Sequence, residues 1–151
     1  MDNFNKTWTF GMLGGVTLNS DQSVWEEYDY LPKMTDFELV FKGKPYQVIG
    51  EVKPWSGLVK FNDEEKIYAV IELEKLELRC AANNLTSLMN FLDSVDLLWI
   101  NYENDASLPA TKENVDYATR IINTFALENP DADTDFWEFQ CFSGLNYRFE
   151  I

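Results

Sequence analysis

The stretch Asn84–Tyr102, NLTSLMNFLDSVDLLWINY, decides how this chain is read. Leu88, Phe91, Leu92, Val95, Leu98, Trp99 and Tyr102 recur at steps of three and four, an unbroken apolar stripe at helical period. Ser87, Asn90, Asp93, Ser94, Asn101 and Glu103 fall on the opposite face, and either Asn84 or Thr86 can cap the start. The spacing predicts a long core helix, and the flanking segments must supply what covers its stripe.

Downstream, Pro109 punctuates a loop, and Val115, Ala118, Ile122, Phe125 and Ala126 keep helical period across a second helix, 111–127. Asn129-Pro130 ends it. The acidic run Asp131-Ala132-Asp133-Thr134-Asp135 precedes Phe136-Trp137 and predicts a cap opening a short third helix, since carboxylates are favoured at a helix N-terminus. Gly144 closes that helix. Leu145, Tyr147, Phe149 and Ile151 then alternate with Asn146, Arg148 and Glu150, the period of a half-buried strand.

Upstream, TWTFGMLGGVTL (7–18) reads as two short strands about Gly11, Gly14 and Gly15. A Gly-rich turn can cradle phosphate, but no Lys-Ser/Thr pair and no helix start follow, so a hairpin or bulge is favoured. In SDQSVWEEYDYLP (20–32), Ser20 or Asp21 caps a helical turn that Pro32 stops. Trp25, Tyr28 and Leu31 turn inward there, with Glu26, Glu27 and Asp29 toward water. Four β-rich segments follow: FELVF (37–41), PYQVIG (45–50), GLVKF (57–61) and KIYAVIELEKLELR (66–79). Gly43, residues 53–57 and the polar 62–65 are their turns. The expectation is an α+β fold in one domain, 1–151: an antiparallel sheet meander covered by three helices.

Length and composition agree with a packed core. The chain has 151 residues, 46% of them hydrophobic and 15% aromatic, with no apolar run near the roughly 20 residues of a membrane span. Its first residues lack a basic segment followed by a long apolar one, so no signal peptide is expected and the protein is placed in the cytoplasm. Cys80 and Cys141 are then expected to be reduced and buried. A bridge between them would need Cα atoms within about 7 Å.

Charge separates the chain into unlike parts. Asp and Glu number 26 against 12 Lys and Arg, a net −14. Residues 31–79 are close to neutral, with 8 basic and 9 acidic residues; the remainder holds 4 and 17. Such a surface repels nucleic acid and anionic membranes and attracts a basic partner. Solubility alone is the competing explanation.

Catalytic chemistry is poorly provided for. The chain has no histidine, which removes the commonest general base, the usual Ser-His and Cys-His pairs and most zinc sites. It contains no Gly-x-Ser-x-Gly, phosphate loop or dinucleotide fingerprint. Carboxylate pairs at Glu26-Glu27, Asp63-Glu64-Glu65 and Asp131/Asp133/Asp135 lie in turns or at helix starts, as chance clustering among 26 acids would place them. The last run resembles the start of a calcium loop, but Phe136 and Phe142 stand where the Gly and Glu of an EF-hand belong. No enzyme, cofactor or metal is expected.

Several short motifs fall in a familiar order: Leu31-Pro32, Ile49-Gly50, Gly57-Leu58-Val59, Tyr68-Ala69-Val70, Ser87-Leu88-Met89-Asn90-Phe91-Leu92, Leu98-Trp99 and Asp133-Thr134-Asp135-Phe136-Trp137. In that order, residues 45–140 resemble the SUKH superfamily, particularly its fourth group of bacterial immunity proteins. Glu51 stands where the family often has Asp, Leu85 separates Asn84 from the following hydroxyl residues, and the strand at 145–151 has no family counterpart. The resemblance implies a non-enzymatic protein that binds and blocks a cognate polymorphic toxin, often a nuclease or deaminase with a basic substrate surface. The alternative is a scaffold or regulatory module of the same fold that binds another protein.

The family fixes no site residues, so candidate contacts come from physics. Trp55, in a Pro-Trp-Ser-Gly turn, is an aromatic anchor candidate, unless it folds back onto the sheet. Glu26, Glu27, Asp29, Asp63, Glu64 and Glu65 are acids on turns that can pair with Lys or Arg, or else are solvated. Trp99 and Trp137 are assigned to the core.

Overall fold

A computed structural model describes residues 4–10, 14–21, 24, 38–41, 44–53, 56–61, 64–72, 77–103, 112–138 and 140–142. Seven strands form one antiparallel sheet: β1 (Asn5–Phe10), β2 (Gly14–Asn19), β3 (Glu38–Phe41), β4 (Lys44–Lys53), β5 (Ser56–Lys60), β6 (Ile67–Glu72) and β7 (Glu77–Ala82). Two long helices follow, α1 (Leu85–Glu103) and α2 (Lys112–Glu128), and then a shorter one, α3, with helical residues 134–138 and 140–142. The fold is α+β.

β4 is the strand on which the sheet is assembled. One edge pairs with β5; the other is shared end to end, Lys44–Gln47 with β3 and Gly50–Lys53 with β2. β4 to β7 make the expected meander, while the β1–β2 hairpin is brought in from far away in sequence. The register with β5 slips between Val48 and Gly50, a β-bulge. Glycine is required there: a Cβ on Gly50 would come within 2.6 Å of Leu18 Cδ2 and of the Thr17 carbonyl oxygen. The Ile49-Gly50 pair is thus explained by close contact between β4 and β2.

The segment 66–79, expected as one strand, is two. β6 ends at Glu72, and β7 returns from Glu77, which pairs with Glu72 itself. Continuous β-propensity conceals the reversal, but a 14-residue strand would exceed the usual span of about 3–10.

Buried residues form two clusters on opposite faces of the sheet. Alternation sends Leu58 and Ala69 to one, and Val59 and Val70 to the other. The larger cluster packs Trp8, Phe10, Val16, Leu18, Ile49 and Val52 against Leu88, Phe91, Leu92, Val95, Leu98 and Trp99 of α1. Phe91, Phe125 and Trp137 bring α1, α2 and α3 together, with ring centroids 4.4 Å apart for the first pair and 5.8 Å for Phe91–Trp137. The smaller cluster, Tyr46, Val48, Val59 and Val70, has Val24, Phe61, Tyr68 and Leu78 packed on it.

Three indole N–H groups tie the layers. Trp8 Nε1 donates to Asp93 on α1 (2.8 Å), Trp99 Nε1 to the Cys141 carbonyl in α3 (2.8 Å) and Trp137 Nε1 to the Ala81 carbonyl in β7 (2.7 Å). Trp99 and Trp137 are core residues, as expected. Asn84 is the α1 cap, its Oδ1 accepting from the Ser87 N–H at 2.8 Å. Ser87 corrects the helix reading: it is buried, because its hydroxyl reaches Asn129 Oδ1 at 2.8 Å. Ile121, absent from the predicted stripe, is buried on α2. Cys80 is half-buried and Cys141 buried, and both are free thiols. The bulk of the 20–32 turn, the loop before α2 and the strand at 145–151 lie outside the described residues.

Asn129 holds the junction where α2 hands over to α3. Its Oδ1 accepts from the Asn83 N–H (2.7 Å) and the Ser87 hydroxyl, and its Nδ2 donates to the Phe125 carbonyl (3.0 Å). Asn129→Ala is expected to destabilise the protein by about 3 kcal/mol, because it strands buried donors. Urea unfolding, with m unchanged, measures this.

Candidate protein-binding surface

The described surface is dominated by carboxylates on the helical layer. Residues 84–142 hold 11 acidic side chains and two basic ones, Lys112 and Arg120. Three of those acids are engaged by cations of the sheet. Asp93 meets Lys6 at 2.7 Å, Asp131 meets Lys66 at 3.0 Å, and Asp133 meets Arg79 at 3.3 Å. The Lys6 ammonium, then the Trp8 indole, hold the Asp93 carboxyl below its usual range. Asn83, then Lys66, do the same for Asp131.

These contacts also settle the acidic run ahead of Phe136-Trp137. Asp133 Oδ1 accepts from the Phe136 N–H at 3.3 Å, capping α3, while the Asp133 N–H donates to the Cys80 carbonyl at 2.8 Å. Asp131 is joined to Asn83 through both side chain and backbone. The run fastens α3 to β7. No group of three His, Cys, Asp or Glu residues that could hold a metal ion occurs among the described residues.

Asp96, Glu113, Asp116, Glu128, Asp135 and Glu138 form no ion pair with another described residue. Neither α1 nor α2 has a basic residue in its last turn, and α2 ends on Glu128. Each helix therefore adds its negative C-terminal dipole to an already negative surface. That arrangement works against the isolated protein and in favour of a cationic neighbour.

Among the acids singled out from sequence, Glu64 and Glu65 are exposed between β5 and β6, where the Glu64 N–H donates to the Phe61 carbonyl at 2.9 Å. Glu65 borders a cleft of about 550 Å³ at the start of α1, with Phe4, Ile49, Lys60, Leu85 and Met89. Trp55, Glu26, Glu27, Asp29 and Asp63 lie outside the described residues. A narrower groove of about 210 Å³ runs between α1 and α2, lined by Ser94, Tyr117, Arg120 and Glu128 among others. Tyr117 donates to the Ser94 carbonyl at 3.4 Å, and Arg120 lies 5.7 Å over the Tyr117 ring.

Sequence reading noted Glu51 only as a departure from the family pattern. It faces away from the helices in a cross-strand row with Thr7, Thr17 and Gly57, yet it is only 3% exposed. Its Oε2 is buried with no hydrogen-bond partner among the described residues, and burial pushes its carboxyl up, opposed by nearby Lys53. Alternation in β4 could have shown the inside-or-outside ambiguity, because the bulge changes which residues share a face.

No family model, curated protein or solved structure matches this chain.

Glu51 and Asp93 give opposite pH dependences. The raised Glu51 value means that its neutral form favours the fold, an advantage present below the ordinary glutamate range and lost as pH rises through the folded value. Glu51→Gln is expected to stabilise the protein by about 1 kcal/mol at neutral pH, with the gain vanishing in acid. The lowered Asp93 value means that its contribution is present above the ordinary aspartate range and lost as pH falls through its folded value. Urea unfolding of both single variants, Glu51→Gln and Asp93→Asn, across pH checks the two signs.

Proposed function

We propose that this chain is a non-catalytic, cytoplasmic immunity protein of the SUKH superfamily that binds and occludes a basic, nucleic-acid-targeting bacterial toxin. The observation that carries this reading is the set of carboxylates on the helical layer that form no ion pair with another described residue, at Asp96, Glu113, Asp116, Glu128, Asp135 and Glu138. A toxin that acts on nucleic acid presents Lys and Arg where phosphates dock. A rigid acidic surface competes for that same cleft, and its field speeds the encounter.

The motif order supports the family reading. Ile49-Gly50 lies in β4, Gly57-Leu58-Val59 in β5 and Tyr68-Ala69-Val70 in β6. Ser87-Leu88-Met89-Asn90-Phe91-Leu92 and Leu98-Trp99 lie in α1, and Asp133 caps α3 ahead of Phe136-Trp137. Ile49, Leu58, Val59, Ala69, Val70, Leu88, Phe91, Leu92, Leu98, Trp99, Phe136 and Trp137 are all buried. The motifs therefore specify a core and leave the surface free to match a particular toxin. Neither nucleic acid nor an anionic membrane suits a net charge of −14.

The test is co-expression with the protein encoded immediately upstream of this gene, which the reading expects to be basic. The reading expects that protein alone to arrest growth, this chain to restore it, and the purified pair to form a complex that weakens as salt rises. A harmless neighbour, or a toxic one against which this chain gives no protection, would overturn it.

A further inference from the structure

α1 leaves two large apolar side chains in solvent. Leu97 is 56% exposed and Ile100 49%, one turn apart on the side away from the core. Asp93 and Asp96 stand four residues before them, so each apolar residue has a carboxylate on the preceding turn of the same face. α1 and α2 run antiparallel, since Phe91 stacks on Phe125 and Tyr117 reaches the Ser94 carbonyl. The first half of α2, with exposed Glu113 and Asp116, therefore flanks the second half of α1. Of the cations nearby among the described residues, Lys6 is paired with Asp93, while Lys112 and Arg120 stand one turn either side of Asp116, Arg120 also over the Tyr117 ring.

We infer that this patch, Leu97 and Ile100 with the carboxylates of Asp96 and Glu113 beside them, is the docking surface for the basic partner, and that it takes a cationic amphipathic segment whose apolar side chains are flanked by Lys or Arg. The inference rests on the proposed function and locates its binding site. Apolar anchors inside a charged rim are how protein interfaces divide the work: the anchors hold the complex and the rim steers and selects. The rim also chooses the occupant. A second copy of this chain would set carboxylates against carboxylates around the same anchors, whereas a basic segment neutralises them and the unpaired C-terminal dipole of α1. Leu127 is still more exposed, at 85%, but on α2 Arg120 and Asn123 hold the preceding turns of its outer face, where α1 has Asp93 and Asp96 before Leu97 and Ile100.

The probe is a synthetic helical peptide with a leucine stripe flanked by lysines, compared with a peptide of equal charge that has serine in the stripe. Calorimetry is expected to show the leucine peptide binding about tenfold more tightly, the equivalent of one well-buried apolar contact. The double variant Leu97→Gln/Ile100→Gln should abolish that difference at unchanged melting temperature, and Leu127→Gln should preserve it. Asp96→Asn/Glu113→Gln should flatten the salt dependence for both peptides. Equal binding of the two peptides, or a preference that survives Leu97→Gln/Ile100→Gln, would overturn the inference. So would self-association of the wild-type chain that Leu97→Gln abolishes, because the occupant would then be a second copy. The growth assay separates this from the function: protection by wild type and equally by Leu97→Gln/Ile100→Gln removes the docking face alone. Absence of protection by wild type removes the immunity reading, whatever the peptides do.

Discussion

One buried carboxamide determines whether the helical layer can close on the sheet. Asn129 follows the last residue of α2, and its side chain reaches the exit of β7 at Asn83 and the first turn of α1 at Ser87 while also satisfying the last turn of α2. Three chain segments share hydrogen bonds to this one residue. Its backbone carbonyl then accepts from the Ala132 N–H at 3.1 Å, which turns the chain toward α3. From there Asp133 caps α3, and Trp137 packs edge-on against both Phe91 and Phe125 with its N–H on the Ala81 carbonyl. Hydrophobic burial provides the bulk of the stability, but it is not directional; these polar contacts determine which packing is adopted.

The same contacts explain why the surface is so unevenly charged. Lys6, Lys66 and Arg79 of the sheet are drawn to Asp93, Asp131 and Asp133, so sheet cations neutralise acids at the seam between the layers. These pairs are half-exposed and individually worth little. Their consequence is spatial: Asp96, Glu113, Asp116, Glu128, Asp135 and Glu138, beyond the seam, form no ion pair with another described residue. A chain selected for stability alone would place Lys or Arg in the last turns of α1 and α2, and this one places none. Stability is forgone on the surface where the account puts the partner, the usual sign of a functional constraint.

The core was legible in sequence because period and composition agreed. The apolar stripe of α1, the Asn84 cap, the end of α2 at Asn129-Pro130 and the acidic cap of α3 are local signals, and local physics produces them. Reversals and long-range pairings were less so. Nothing between Lys66 and Arg79 outweighs the β-propensity enough to mark the turn between β6 and β7, and no local pattern announces that β2 joins β4 beside β3. Ser87 and Glu51 look like surface residues in any window, yet both are buried: a residue 42 positions away receives the Ser87 hydroxyl, and Glu51 lies just past a bulge. Leu97 and Ile100 were hidden for the opposite reason. In a segment so rich in apolar residues, two more attract no notice until the helix is seen to point them outward. Of the candidate contacts, Glu64 and Glu65 are exposed as expected, and Glu65 borders the cleft at the start of α1.

The central claim is that charge complementarity on the helical layer brings in a basic protein partner. The most direct test is the association rate constant with the protein encoded immediately upstream of this gene, measured by stopped flow as salt is raised. The account predicts fast association at low salt that slows steeply with added salt, while dissociation changes little. An association rate indifferent to salt would mean that the carboxylates play no part in finding the partner, and would contradict it.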